Sequence, residues 1–204
     1  MVSASDLEVS GVVLNQEQAG ESHRRVYLFS EAGLTPFLFR QIRSGPFSRL
    51  PDFLDEVECL LSPPKGGGGL SFVREFKVLS SPRELAKNAQ SFLAASQLAR
   101  FYLDNGAHLL DPVPHFRLLK KGIDAIPHAG NPSVVLLKVY FEFSRKEGLP
   151  VRESWLRSLS EEDRAQAEAL LSRSVRELTL PADELMGLLT SLKTWMNAET
   201  ELKV

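Results

Sequence analysis

At Ser81 the chain changes its hydrophobic period. Before it, apolar side chains alternate over short runs; after it, they recur every three or four residues. A period of two commits a segment to strands, a period near 3.6 commits it to helices, and each state puts the wrong side chains into the core of the other. The change therefore predicts an α+β protein in two parts: a barrel domain over residues 1–80 and an all-α helical domain over residues 81–204.

The first part reads as five short strands. Leu7, Val9, Val12 and Leu14 mark the first, with a bend or bulge expected at Gly11. Arg24–Ser30 is the second, Leu34–Ile42 the third, an imperfectly alternating Phe53–Leu61 the fourth and Leu70–Leu79 the fifth. Gly20, Gly33 and Ser44-Gly45-Pro46 supply turn chemistry. Five such strands in about eighty residues suit a small antiparallel Greek-key barrel of the OB type. Pro63-Pro64-Lys65-Gly66-Gly67-Gly68-Gly69 lacks the Gly-Lys-Ser/Thr ending of a phosphate-binding loop and reads as a hairpin tip.

The second part opens on Ser81-Pro82-Arg83-Glu84, which has the form of a capping box with proline at the first helical position. A helix from there to Asn105-Gly106 is expected. Further helices are expected over Val113–Ile126, from Asn131-Pro132 to Gly148, over Ser160–Val175 with Ser160 and Asp163 at its start, and over Pro181–Ala198. Val134–Phe143 is apolar on nearly every side. Read alone it could be a buried strand, but its asparagine-proline start, glycine stop and length favour a buried helix.

Composition excludes several function classes. One cysteine, Cys59, allows neither an internal disulfide nor a cysteine-rich metal site. His23, His108, His115 and His128 do not fall at metal-ligand spacing. Glu161, Glu162 and Asp163 begin a helix, where they favour the positive end of its dipole. No nucleophile stands beside a base, so neither an enzyme nor a cofactor is expected. No apolar run is long enough to span a bilayer, and Met1–Ser10 carries Asp6 and Glu8 with no basic residue, unlike a signal peptide. A cytoplasmic protein is the expectation.

Charge is near balance. Residues 1–80 hold 8 basic and 10 acidic side chains, and residues 81–204 hold 16 of each. Between Glu21 and Arg49, however, there are 5 arginines and 2 acids. Arg24, Arg25, Arg40, Arg43 and Arg49 could form a positive strip on an otherwise neutral body. OB barrels hold single strands with such a strip and with rings for stacking. Tyr27, Phe37 and Phe39 are nearby, but a small barrel also needs large inward residues, and the core is their expected place.

Gly20-Glu21, Arg24, Leu28-Phe29-Ser30 and Gly33, followed by basic residues at Arg40 and Arg43, resemble the N-terminal run of the RecO family of recombination mediators. Gln41 stands where that family has a glycine. The resemblance extends over residues 8–150, through Phe92-Leu93, Tyr102-Leu103 and Gly148-Leu149-Pro150, and loosely beyond. It implies a non-catalytic protein that binds single- and double-stranded DNA and anneals complementary strands. With a RecR-like partner, such a protein helps the recombinase RecA replace single-stranded-DNA-binding protein. It implies DNA contacts at Arg24, Arg40 and Arg43, and a helical domain that takes the acidic tail of single-stranded-DNA-binding protein. Lys138, a lone cation in an apolar helix, falls at a basic position of the family's central helix and is the expected partner of that tail. Many members carry a four-cysteine zinc insertion after the matching glycine; Val151–Ser160 is short and has no cysteine. A protein-binding adaptor that has lost DNA affinity is the second expectation.

Overall fold

The computed structural model describes residues 6–40, 50–64, 69–175 and 181–204. The protein is α+β, with a closed five-stranded barrel followed by helices. It forms two compact units: Met1–Pro82 with Tyr102–Phe116, and Arg83–Phe101 with Arg117–Val204. The segment 102–116, expected in the helical domain, thus belongs with the barrel.

The strands are β1 (Leu7–Gln18), β2 (His23–Ser30), β3 (Gly33–Arg40), β4 (Glu56–Ser62) and β5 (Ser71–Ser80). They close in the order β1-β2-β3-β5-β4. A closed ring of five strands cannot alternate direction all the way round, so one pair must be parallel. That pair is β3 with β5, joined at Phe37–Ser71 and Leu38–Phe72. The barrel expected to be antiparallel is antiparallel everywhere else.

Alternation sends Val9, Val13, Val26, Leu28, Phe37, Phe39, Val57, Cys59 and Leu61 inward to form the barrel core. The bulge in β1 lies between Val13 and Asn15, not at Gly11. Gly11 serves another purpose: a Cβ there would sit 2.5 Å from the Phe29 carbonyl oxygen, so only glycine lets β2 approach. The strand expected from Phe53 begins at Glu56. Leu54 adopts a φ of 64° in a turn where the Asp52 N–H donates to the Asp55 carboxylate at 2.7 Å. That turn interrupts the extended chain.

Outside the barrel, Phe29 is fully buried. Its ring meets Tyr102 edge-on at 5.0 Å and Phe116 at 6.4 Å, all within the first unit. A Cβ on Gly106 would lie 2.8 Å from the Phe29 ring, so the glycine lets the chain pass over it. This apolar residue on the outer register explains why 102–116 clusters with the strands: burying a phenylalanine side chain is worth roughly 1.5–3 kcal/mol.

The capping box expected at Ser81 does not form. The Ser81 hydroxyl donates instead to the Asp55 carboxylate at 2.5 Å. A 3-10 turn follows over Arg83–Lys87, and α1 (Ala89–Asn105) starts after Asn88. The Asn88 side-chain oxygen accepts from the N–H groups of Gln90 and Ser91, which satisfies the first turn. Asp55 is buried and needs donors, so the serine is drawn to it.

Helices α2 (Pro112–Ala125), α3 (Ser133–Lys146), α4 (Glu161–Ser172) and α5 (Ala182–Glu199) complete the chain. In α3, 9 of 14 residues are buried, so the ambiguous Val134–Phe143 run is helix. The Asn131 side chain accepts from Ser133 N–H at its start, and Gly148 at φ 73° follows its end. Ser160 caps α4 by accepting from Asp163 N–H at 3.1 Å. Between them, Arg152–Leu156 forms one π-helical turn that buries Trp155. In the second unit, Phe101 packs between Tyr140 and Phe143, with ring centroids at 4.7 Å from each. Gly122 allows close packing there, since a Cβ would lie 2.9 Å from Leu98 and 3.1 Å from Val139.

Candidate nucleic-acid interface

The β2–β3 hairpin fixes which side each arginine takes. Val26 and Leu28 point inward, so Arg24 shares their register and Arg25 and Tyr27 face out. On β3, Phe37 and Phe39 are inward and fully buried, while Pro36, Leu38 and Arg40 take the outer register. Tyr27, expected in the core, is half-buried on the outside because it alternates with Val26 and Leu28.

The pairings align the outer residues: Tyr27 lies opposite Pro36, Arg25 opposite Leu38 and His23 opposite Arg40. Parallel pairing of Leu38 with Phe72 extends the face onto β5. Phe72 is 39% exposed, and its ring meets His23 nearly edge-on at 5.7 Å. The face therefore carries three rings, Tyr27, His23 and Phe72, with Arg25 and Arg40 among them.

The arginines are not equivalent. Arg25 donates to Glu17 of β1 at 2.9 Å, and the Tyr27 hydroxyl donates to the same carboxylate oxygen at 2.8 Å. Tyr27 and Glu17 together raise the pKa of Arg25 above its ordinary value. Glu17 cancels its charge locally. Arg40 is exposed and, among the described residues, has no acidic partner. Arg24 sits on the inward register opposite Phe39, half-buried; its Nε, like that of Arg25, is enclosed and has no hydrogen-bond partner among the described residues. An enclosed guanidinium nitrogen lacking an acceptor is costly, and an anion near it would relieve that cost. Arg43 and Arg49 lie outside the described residues.

Lys138 lies half-buried in α3. Its ammonium donates to the Leu171 carbonyl at 3.4 Å and to that of Arg173, at the C-terminal end of α4. Those are carbonyls that a helix end leaves without partners, and a cation there also meets the negative end of the dipole. Burial lowers the Lys138 pKa, and the nearby Glu142 opposes that shift.

A groove of about 340 Å³ opens elsewhere in the second unit, between α1, α3 and α5. Leu93, Leu136, Met186 and Leu189 give it apolar walls, and Lys193 stands at its side. Lys193 lies 5.5 Å above the Tyr140 ring, and burial lowers its pKa.

No protein-family model matches the chain, and a search of curated proteins finds no match.

Nucleophilic chemistry finds no footing at Cys59, because burial first and Glu58 second push its thiol pKa up to about 12. Among the described residues, no group of three or more histidine, cysteine, aspartate or glutamate side chains could hold a metal ion. Among them also, no helix is long and apolar enough to cross a membrane.

Sequence reasoning missed His23 and Phe72 as members of the face, Glu17 as the counter-charge and Lys193 in the groove. Phe72 had no signal, because its pairing with Leu38 is a long-range parallel contact. Glu17 could have been found: a tight β1–β2 turn around Gly20 brings residue 17 opposite residue 25.

Proposed function

We propose that the first unit is an OB-type barrel that binds single-stranded nucleic acid across β2, β3 and β5, and that the protein is a RecO-like recombination mediator without a zinc module. One observation carries the reading. The strand order β1-β2-β3-β5-β4, with β3 and β5 parallel, brings the rings of Tyr27, His23 and Phe72 onto one outer face with Arg25 and Arg40. That is the face OB barrels use for oligonucleotides. The physics needed is phosphate neutralisation by Arg40 on that face, with rings available to bases, and by Arg24, whose half-buried guanidinium lies on the inward register. On this reading the protein also anneals strands. With a RecR-like partner and single-stranded-DNA-binding protein, it loads RecA, in a cytoplasmic, nucleoid-associated setting.

A titration of a labelled single strand at several salt concentrations tests it. The Arg24→Ala/Arg40→Ala double variant should bind more weakly and lose about 0.7 per removed contact from the log–log salt slope. Equal affinity and slope in an intact double variant would reject the assignment.

The second reading is a protein-binding adaptor that docks an acidic, apolar tail. The groove between α1, α3 and α5 favours it, since apolar walls and a cation suit such a peptide. On that reading Lys193 takes the role that the resemblance implies for Lys138.

A further inference from the structure

The outer face of the barrel holds an apolar ring that packing does not account for. Phe72 sits on β5 beside the parallel junction, 39% exposed, while Phe37 and Phe39 on the neighbouring strand are buried. Its ring neighbour is His23, which belongs to β2, so the rings of two strands meet across the intervening β3. The Ser22 hydroxyl lies 3.2 Å from His23 Nδ1. Arg40, opposite His23 in the β2–β3 ladder, is an exposed cation at this end of the face. Neighbouring strands lie about 4.8 Å apart, so Arg40 is within reach of a phosphate whose base lies on Phe72.

From this juxtaposition of Phe72, His23 and Arg40 we propose a stacking site for one unpaired nucleobase, with Phe72 as its platform. The inference rests on the nucleic-acid reading of the barrel and deepens it: the occupant is a single strand. A base within a duplex has both faces covered by its neighbours and cannot lie on Phe72 without unstacking, whereas an unpaired base can. The arginines meet phosphates in either form and do not discriminate. Charge sets the affinity common to both forms, and Phe72 sets the preference between them. Leu38, half-buried on the same outer register, floors the site beside Phe72. Glu17 pairs with Arg25, which leaves Arg40 as the arginine of this face without an acidic partner among the described residues.

The test uses the full chain with a labelled oligothymidine and a duplex of equal length, and the variants Phe72→Leu and Phe72→Trp. Phe72→Leu keeps an apolar side chain but removes the π-face. Its single-strand affinity should fall about fivefold or more, with duplex affinity and the single-strand salt slope unchanged. Phe72→Trp should restore single-strand affinity, and its added indole fluorescence should be quenched by the oligothymidine. Unchanged single-strand affinity in Phe72→Leu, with the intact protein binding normally, would overturn the stacking site and leave the barrel reading standing. Equal loss for strand and duplex would also overturn it, since that is the signature of a general distortion of the face. Failure of the unaltered chain to bind either nucleic acid would overturn both the site and the reading beneath it.

Discussion

The two ends of β2 present the same register to the outside and meet opposite surroundings. At its C-terminal end, Phe29 is sealed by Tyr102, Phe116 and Gly106. At its N-terminal end, Tyr27, Arg25 and His23 remain partly open, flanked by Arg40 and Phe72. Alternation alone cannot tell these ends apart, because it assigns faces and not covers. What differs is whether a later segment has the right residues to close over the strand. Residues 102–116 supply rings for Phe29, whereas the Tyr27 hydroxyl meets the polar side chains of Arg25 and Glu17. One strand face is thus part structural seam and part exposed surface.

The largest effect should come from breaking the sealed end. Phe29→Ala removes a fully buried ring and leaves a cavity against Tyr102 and Phe116, at a cost of about 3–5 kcal/mol. Denaturant unfolding should show that loss as a lower midpoint with an unchanged slope. A cost below about 1 kcal/mol, the range of an exposed substitution, would mean that the two ends do not differ.

The second unit sharpens the contrast. In a helix with 9 of 14 residues buried, a cation must find acceptors or water, and Lys138 finds the last carbonyls of α4. Lys138→Met should destabilise the protein by about 1 kcal/mol, the usual net worth of such hydrogen bonds. It should leave the binding of an acidic peptide unchanged, whereas Lys193→Met should weaken it. Loss of peptide binding in Lys138→Met with unaltered stability would return Lys138 to the role that the resemblance implies.

The smallest effect lies at the open end. Glu17→Gln frees Arg25 from an exposed ion pair, so stability should change by less than about 1 kcal/mol. Single-strand affinity at low salt should rise about two- to fivefold, because one acid leaves the face and one guanidinium is released. Unaltered affinity would place the bound strand away from Arg25.

How much of this was legible follows from which contacts are local. The strands, the buried helix at Val134–Phe143 and the Ser160 cap are set within a few residues, and alternation or spacing carries them. Phe37 and Phe39 are core for the same reason. Ser81 misled because its competing partner, Asp55, is 26 residues away in sequence. Tyr27 misled because size argued for the core while register placed it outside. The arginines stand close together in the sequence, but the pairing of Arg25 with Glu17 and the inward register of Arg24 are products of strand pairing. Phe72 depends on a parallel junction that no short window contains.

The central claim is that nucleic acid meets the open end of the β2–β3 face, and amide chemical-shift mapping during titration with a short oligothymidine tests it most directly. The account predicts shifts grouped at His23–Tyr27, Leu38–Arg40 and Ser71–Val73, with α3, α4 and α5 silent. Shifts grouped instead on α1, α3 and α5 around Leu93, Met186 and Lys193, with β2 and β3 unmoved, would contradict it.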